Sequence, residues 1–267
     1  LASCIAQSFF SFLLSILNAP VQPLLDLVYS FLTQPVNIDL FSDVWGIIVY
    51  ILSMFYGILL MYIGFRFILS GYSPEQREKA KNGLARILLM IVLVQASFYL
   101  YSLANDVVSS VTTVILNMMP ANFFLLTIDN ITNLGLELVL LLPYLFAIAS
   151  TLLFLTLRYM LVSFGVIFFA IGIFFYFIEP LNNYGRLIIN FLLATISLTF
   201  FYSLVFLASS KFLDLPAFAN YKILVMIGAF SFVNSMTLVA IIFILIKSAN
   251  AISSPIMKVI NLAEMVA

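Results

Sequence analysis

Histidine is absent from the 267 residues, and cysteine and tryptophan occur once each, as Cys4 and Trp45. Without His the chain lacks the commonest proton shuttle and metal ligand, and the usual nucleophile–base–orienter set is not available. A lone Cys excludes an intrachain disulfide and a thiolate metal cluster. No Gly-x4-Gly-Lys-Ser/Thr loop occurs, which excludes nucleotide hydrolysis by that route. The acidic residues stand singly, with no pair inside an apolar run such as a proton relay uses. These absences predict a chain that is not an enzyme, with no catalytic centre, metal site or resident cofactor.

Charge is scarce too. Charged residues make up 8% of the chain, where soluble domains carry about 25%. Hydrophobic residues make up 64%, and the mean hydropathy is +1.21. That composition predicts an all-α, polytopic transmembrane protein with about five to seven membrane segments, preceded by N-terminal interfacial helices. Eleven basic and eleven acidic residues cancel, so no global field points to nucleic acid or acidic lipid.

In chain order, region 1–44 reads as apolar and interfacial. Ala2 to Leu17 is apolar, and Asn18, Pro20 and Pro23 predict a break. Leu24, Leu25, Val28, Phe31 and Leu32 then recur at helical spacing, over a length too short to cross a bilayer. Region 45–116 reads as a transmembrane hairpin. Its first span is Trp45 to Leu69, with Trp45 and Tyr50 as an aromatic belt and Gly46, Gly57 and Gly64 permitting close helix contact. Gly71 ends that helix. Ser73, Pro74 and Gln76 form an N-cap, first helical position and capping box for the next. The second span is about Leu84 to Leu103, running on toward Leu116. Arg66, Arg77, Lys79, Lys81 and Arg86 cluster at this turn, so loop 71–83 is expected to be cytoplasmic. Region 117–136 lacks Lys and Arg and reads as an extracytoplasmic loop carrying an Asn130-Ile131-Thr132 sequon.

Region 137–247 reads as a transmembrane bundle, and 248–267 as a weakly amphipathic tail broken at Pro255. The bundle opens on Leu138 to Ile178, in which Arg158 is the only charge. A bilayer core needs about 20 helical residues, and this run has twice that. It crosses either twice, or once as an over-long helix or one with a re-entrant break near Gly165. The single crossing is favoured, because no turn chemistry marks Arg158. It places Arg186, Lys247 and Lys258 on the side of loop 71–83. Spans Leu187 to Ala208 and Ile223 to Ile246 follow, separated by a Ser210–Lys222 loop.

Three groups of residues are candidates for function. Arg158 and Arg186 either line a conduit for an anion such as DNA phosphate, or anchor helices; Arg158 has Glu137 and Glu179 as possible ion-pair partners. Gln95, Ser102, Asn105 and Asp106 make a polar helix face that either wets a pore or bonds a neighbouring helix. Arg77, Lys79, Lys81 and Arg86 either dock a cytoplasmic protein or acidic head groups, or only set topology.

Two blocks carry a resemblance. Arg158-Tyr-Met-Leu-Val-Ser-Phe-Gly165-Val-Ile-Phe-Phe-Ala-Ile-Gly172, followed by Glu179-Pro180 and Tyr184-Gly185-Arg186-Leu-Ile-Ile-Asn190, resembles the signature region of TrbL-type inner-membrane channel subunits of type IV secretion (conjugation) systems. The archaeal CedA-type DNA importer is a similar case. Gly71 to Asp106 looks like the basic hairpin ahead of that region. The family's Gly-Pro is Gly165-Val166 here, and the turn carries one Arg where the family has Thr-Arg. The resemblance implies a subunit of a DNA-transfer apparatus in the inner (cytoplasmic) membrane, forming a conduit or platform at the base of a pilus. It implies a homo-oligomer among membrane lipids, with pilus subunits and a separate ATPase as partners and single- or double-stranded DNA in transit. Two other classes stay open: a secondary transporter or small-solute channel, and a structural membrane subunit of a pilus or envelope assembly.

Overall fold

Long apolar runs with few turn residues become long helices, because in hydrocarbon only a helix satisfies its own backbone. The computed structural model describes residues 2–69, 73–120, 123–125, 134–216, 218 and 221–266, with the backbone alone at 2–11, 13–14, 17, 134–138, 244–245 and 248–266. The sequon at Asn130, Gly71, and the side chains of Glu137 and of the C-terminal tail lie outside what is described. Within the described residues the chain is all-α, with seven α-helices: α1 Ala2–Thr33, α2 Ser42–Leu69, α3 Pro74–Gln95, α4 Ser97–Leu116, α5 Leu134–Phe177, α6 Asn182–Phe212 and α7 Lys222–Val266. Four of these helical stretches are long and apolar enough to cross a membrane, and a fifth span results if the bent α3–α4 pair counts as one. The fold is that of a polytopic helical membrane protein.

Three expectations are revised. The break at Asn18–Pro23 does not occur, and α1 runs through Pro20 and Pro23. The lost backbone bonds are outweighed by burial of Val21, Leu25, Val28 and Leu32, one stripe in a protein core. The apolar face expected to meet the bilayer interface therefore meets protein. The span from Leu84 onward is not straight: α3 and α4 meet at Ala96 with a 59° bend. Ala96 sits at φ −83°, ψ −4°, and the Ser97 hydroxyl donates to the Val94 carbonyl at 2.7 Å, satisfying a group left over by the break. At the start of α3, Ser73 and Pro74 occupy the expected cap positions, but the Ser73 side chain makes no cap hydrogen bond. The α5 helix has no break at Arg158 or Gly165. Its 44 residues form one helix, about 66 Å long at 1.5 Å per residue.

The chain divides into two compact units. Unit 1 comprises residues 1–35, 106–160 and 197–241. Its core joins the α1 stripe to Tyr144, Ile148 and Leu155 of α5, Tyr202 and Phe206 of α6, and Met226, Phe230 and Val233 of α7. Phe124, Phe206 and Phe230 form an aromatic knot with ring centroids 5.0 to 5.6 Å apart. Unit 2 comprises residues 36–105, 161–196 and 242–267. It holds the α2–α3 hairpin and the α5–α6 turn, made by extended Ile178 and a 3-10 turn at Glu179–Leu181. The Trp45 indole donates to Ser97 Oγ at 2.9 Å, and the Tyr101 hydroxyl donates to the Val162 carbonyl at 2.9 Å.

Candidate functional site

Arg158 is a buried charge of unit 1. It is 4% exposed, so protein covers it. A guanidinium has five donors and no acceptor, and burying one in a low-dielectric medium is costly unless polar groups surround it. Thr151 lies seven residues earlier on α5, two turns away on the same face. Tyr202 of α6 is within electrostatic reach of Arg158. The Tyr202 hydroxyl lies 2.6 Å from Thr237 Oγ1 of α7. Thr237 itself donates to the Val233 carbonyl at 2.9 Å, so Tyr202 is the donor of the pair. One turn away, the Thr151 hydroxyl donates to Asn234 Oδ1 at 2.8 Å, and Asn234 Nδ2 donates to the Ala147 carbonyl at 3.2 Å. Asn234 thus ties α7 to α5 and Thr237 ties it to α6, by polar contacts inside apolar helices.

In membranes such interhelical hydrogen bonds contribute about 0.6 kcal/mol on average and up to about 1.7. Asn234→Ala removes both contacts to α5 and is expected to cost about 1 kcal/mol. Thermal unfolding in detergent should show a fall of a few degrees. The double variant with Thr151→Ala should add little, because the two side chains share one bond; full additivity would mean that they do not interact.

The remaining candidates fall apart into different settings. Arg186 belongs to unit 2, is exposed, and lies 5.6 Å from the ring centre of Tyr176. The polar face from Gln95 to Asp106 is not one surface, because the bend at Ala96 interrupts the helical register. Gln95 lines a cleft of about 310 Å³ with Trp45, Gly46, Tyr50 and Ser53. Asn105 is buried and donates to the Val36 carbonyl at 3.1 Å, while its Oδ1 has no partner among the described residues. Asp106 is exposed and belongs to unit 1, where it lines a cleft of about 580 Å³ with Thr33, Ser109, Ser110 and Thr113.

The basic start of α3 is solvent-directed. Arg77, Lys79 and Lys81 are exposed, and Lys79 pairs with Glu75 one turn earlier at 2.6 Å. Arg86 turns instead to Glu179 of the α5–α6 turn, 3.6 Å away. That pair is exposed and contributes little to stability. Its value is topological: within unit 2 it puts the α5–α6 turn beside the middle of α3. It also engages Glu179, one of the two carboxylates considered for Arg158.

Two features were not foreseen. Gly172 and Gly185 bring α5 and α6 into backbone contact: a Cβ at Gly185 would overlap the Tyr176 nitrogen and lie 2.6 Å from the Gly172 carbonyl oxygen. Glycines in two successive spans are the signal, though sequence alone does not pair them. Asn234 is the other feature. An amide inside an otherwise apolar span marks a helix contact on its own.

The chain matches no known family profile, no curated protein and no solved structure. Fold and site together define a class, a multi-pass helical membrane protein with a buried arginine among the polar contacts of its last three helices.

Proposed function

We propose that this chain is a non-enzymatic membrane subunit of a type IV secretion or conjugation-like DNA-transfer apparatus, helping to form the conduit or platform at the base of a pilus. The observation that carries a subunit, rather than a self-contained transporter, is the bareness of α2. Only 17% of its most apolar stretch is buried, against 50% for α5. Gly46, Gly57 and Gly64 all have open space where a Cβ would stand. A helix left that bare is available to further copies of the chain or to lipid. The resemblance of residues 158–190 to TrbL-type subunits supplies the rest of the reading.

In this proposal the protein resides in the inner membrane with loop 71–83 cytoplasmic. The Arg86–Glu179 pair then brings the α5–α6 turn and Arg186 to the cytoplasmic side. This supports one crossing by α5, with Lys211 and Lys222 on the far side. Exposed Arg77, Lys79 and Lys81 are the docking residues for a separate ATPase or for acidic head groups. Pilus subunits would meet the opposite face, and DNA would pass between copies.

Burial of Arg158 favours a second reading, a structural subunit of a pilus or envelope assembly in which the guanidinium fixes helices and touches no cargo. Electron microscopy of the detergent-extracted particle tests the proposal. A closed ring or filament of many copies with other subunits attached is the expected result. A monomer or dimer with a closed central cavity would overturn it in favour of a solute transporter. Deleting the gene should abolish DNA transfer; transfer at the parental rate alongside missing pili would leave only the structural reading.

A further inference from the structure

Unit 1 carries a cavity that the DNA-transfer reading does not use. It lies between the end of α6 and the start of α7 and has a volume of about 410 Å³. Its lining includes Ala208, Ser209, Gly228, Phe212, Phe218 and Phe232. A Cβ added at Gly228 would meet nothing within 4 Å, so the glycine faces open space. Water is a poor occupant, because each buried water needs two to four polar partners and this lining is almost wholly apolar. Both helices are membrane spans by length and composition, so the medium against them is hydrocarbon. A recess in that surface is filled by the flexible apolar chain that the bilayer supplies.

An exposed lysine stands at the end of the recess nearest the α6–α7 loop. Lys211 stands between Ser209 and Phe212, two of the lining positions, and is exposed. Its ammonium is 3.6 Å from Asp214, a loose surface pair that a phosphate can displace. Lys222, one helical turn before Val225, is buried, so Lys211 is the exposed cation of this end. An apolar slot beside an exposed lysine is complementary to a molecule with a hydrocarbon chain and an anionic head.

We propose that this recess is a binding site for an anionic phospholipid, one acyl chain lying along Gly228 and the phosphate meeting Lys211. The site is independent of any role in DNA transfer.

The test uses the full chain in nanodiscs of phosphatidylglycerol and phosphatidylcholine, with retained lipid counted by native mass spectrometry. The parent chain should retain phosphatidylglycerol in preference to phosphatidylcholine. Gly228→Phe fills the recess and should weaken retention about tenfold, the loss expected when a few methylenes are no longer buried. Lys211→Gln should keep the chain contact but remove the head-group preference. A second readout does not depend on Gly228→Phe folding: a tryptophan introduced by Phe218→Trp should be quenched by acyl-brominated phosphatidylglycerol, while Trp45 of the parent chain serves as reference. Equal retention of both lipids by the parent would overturn the proposal. So would undiminished retention in a folded Gly228→Phe variant, or absent quenching at position 218.

Discussion

Gly185→Val should destroy the α5–α6 hairpin. The added carbon atoms would occupy the space of the Tyr176 backbone nitrogen and the Gly172 carbonyl. Overpacking a protein interior costs about 1–3 kcal/mol where side chains can give way. Here the obstacle is backbone held in a helix, so the cost belongs at or above the top of that range. A loss of about 3 kcal/mol lowers Tm by roughly 6–12 °C in a chain of this size. Circular dichroism in detergent measures it, and failure to accumulate in the membrane fraction is the stronger form of the same result. Gly64→Ala is the control. Nothing lies within 4 Å of a Cβ there, and replacing a mid-helix glycine by alanine is neutral or stabilises by up to about 1 kcal/mol. If the two positions respond alike, the close approach of α5 and α6 is wrong.

The second large effect belongs to Arg158. Arg158→Ala removes a buried cation and leaves the surrounding polar groups, Tyr202 among them, without it. Breaking such an arrangement from one side costs about 3–5 kcal/mol. The expected Tm loss is therefore roughly 6–20 °C. Arg158→Lys should recover part of it, since the charge remains and the planar fork is lost. Arg158→Met separates stability from passage. It restores apolar bulk without charge, and well-packed apolar replacements of buried ions are often neutral. Normal Tm with normal DNA transfer in Arg158→Met would assign Arg158 to helix packing. Normal Tm with transfer lost would show that the charge itself acts on the cargo. An unchanged Tm in Arg158→Ala would contradict its burial.

Much of this architecture is legible without coordinates, because hydrocarbon is a severe solvent. The first span, from Trp45 to Leu69, coincides with the body of α2, since nothing but a helix suits such a run. The Ser73-Pro74 start of α3 is also legible, as Pro can stand at a first helical position. Proline in α1 misleads for the opposite reason. Its local cost is visible in sequence, but the core that outweighs it is made by residues more than a hundred positions away. The bend at Ala96 was hidden because alanine carries no turn signal. The break is held instead by Trp45 bonding to Ser97, a contact across 52 positions.

The candidate residues divide the same way. That an arginine in an apolar run must be shielded follows from its charge alone. Which groups shield it does not, because Tyr202, Thr237 and Asn234 are ordinary members of other spans until helices bring them to α5. The Gln95–Asp106 face looked continuous because helical periodicity was extended through a residue where the helix bends by 59°.

By itself, then, the sequence determined that this chain is helical, has spans apolar enough to cross a membrane, and carries an arginine that must be kept from hydrocarbon by protein, water or a head group. Those properties depend on composition and on periods of a few residues, which solvent transfer energies read directly. Only the tertiary structure decided that α5 is one unbroken helix, that α6 touches it backbone to backbone at Gly172 and Gly185, and that Arg158 lies buried near Tyr202. Those outcomes depend on which helices become neighbours, a choice made by the summed packing of surfaces that are all nearly equally apolar.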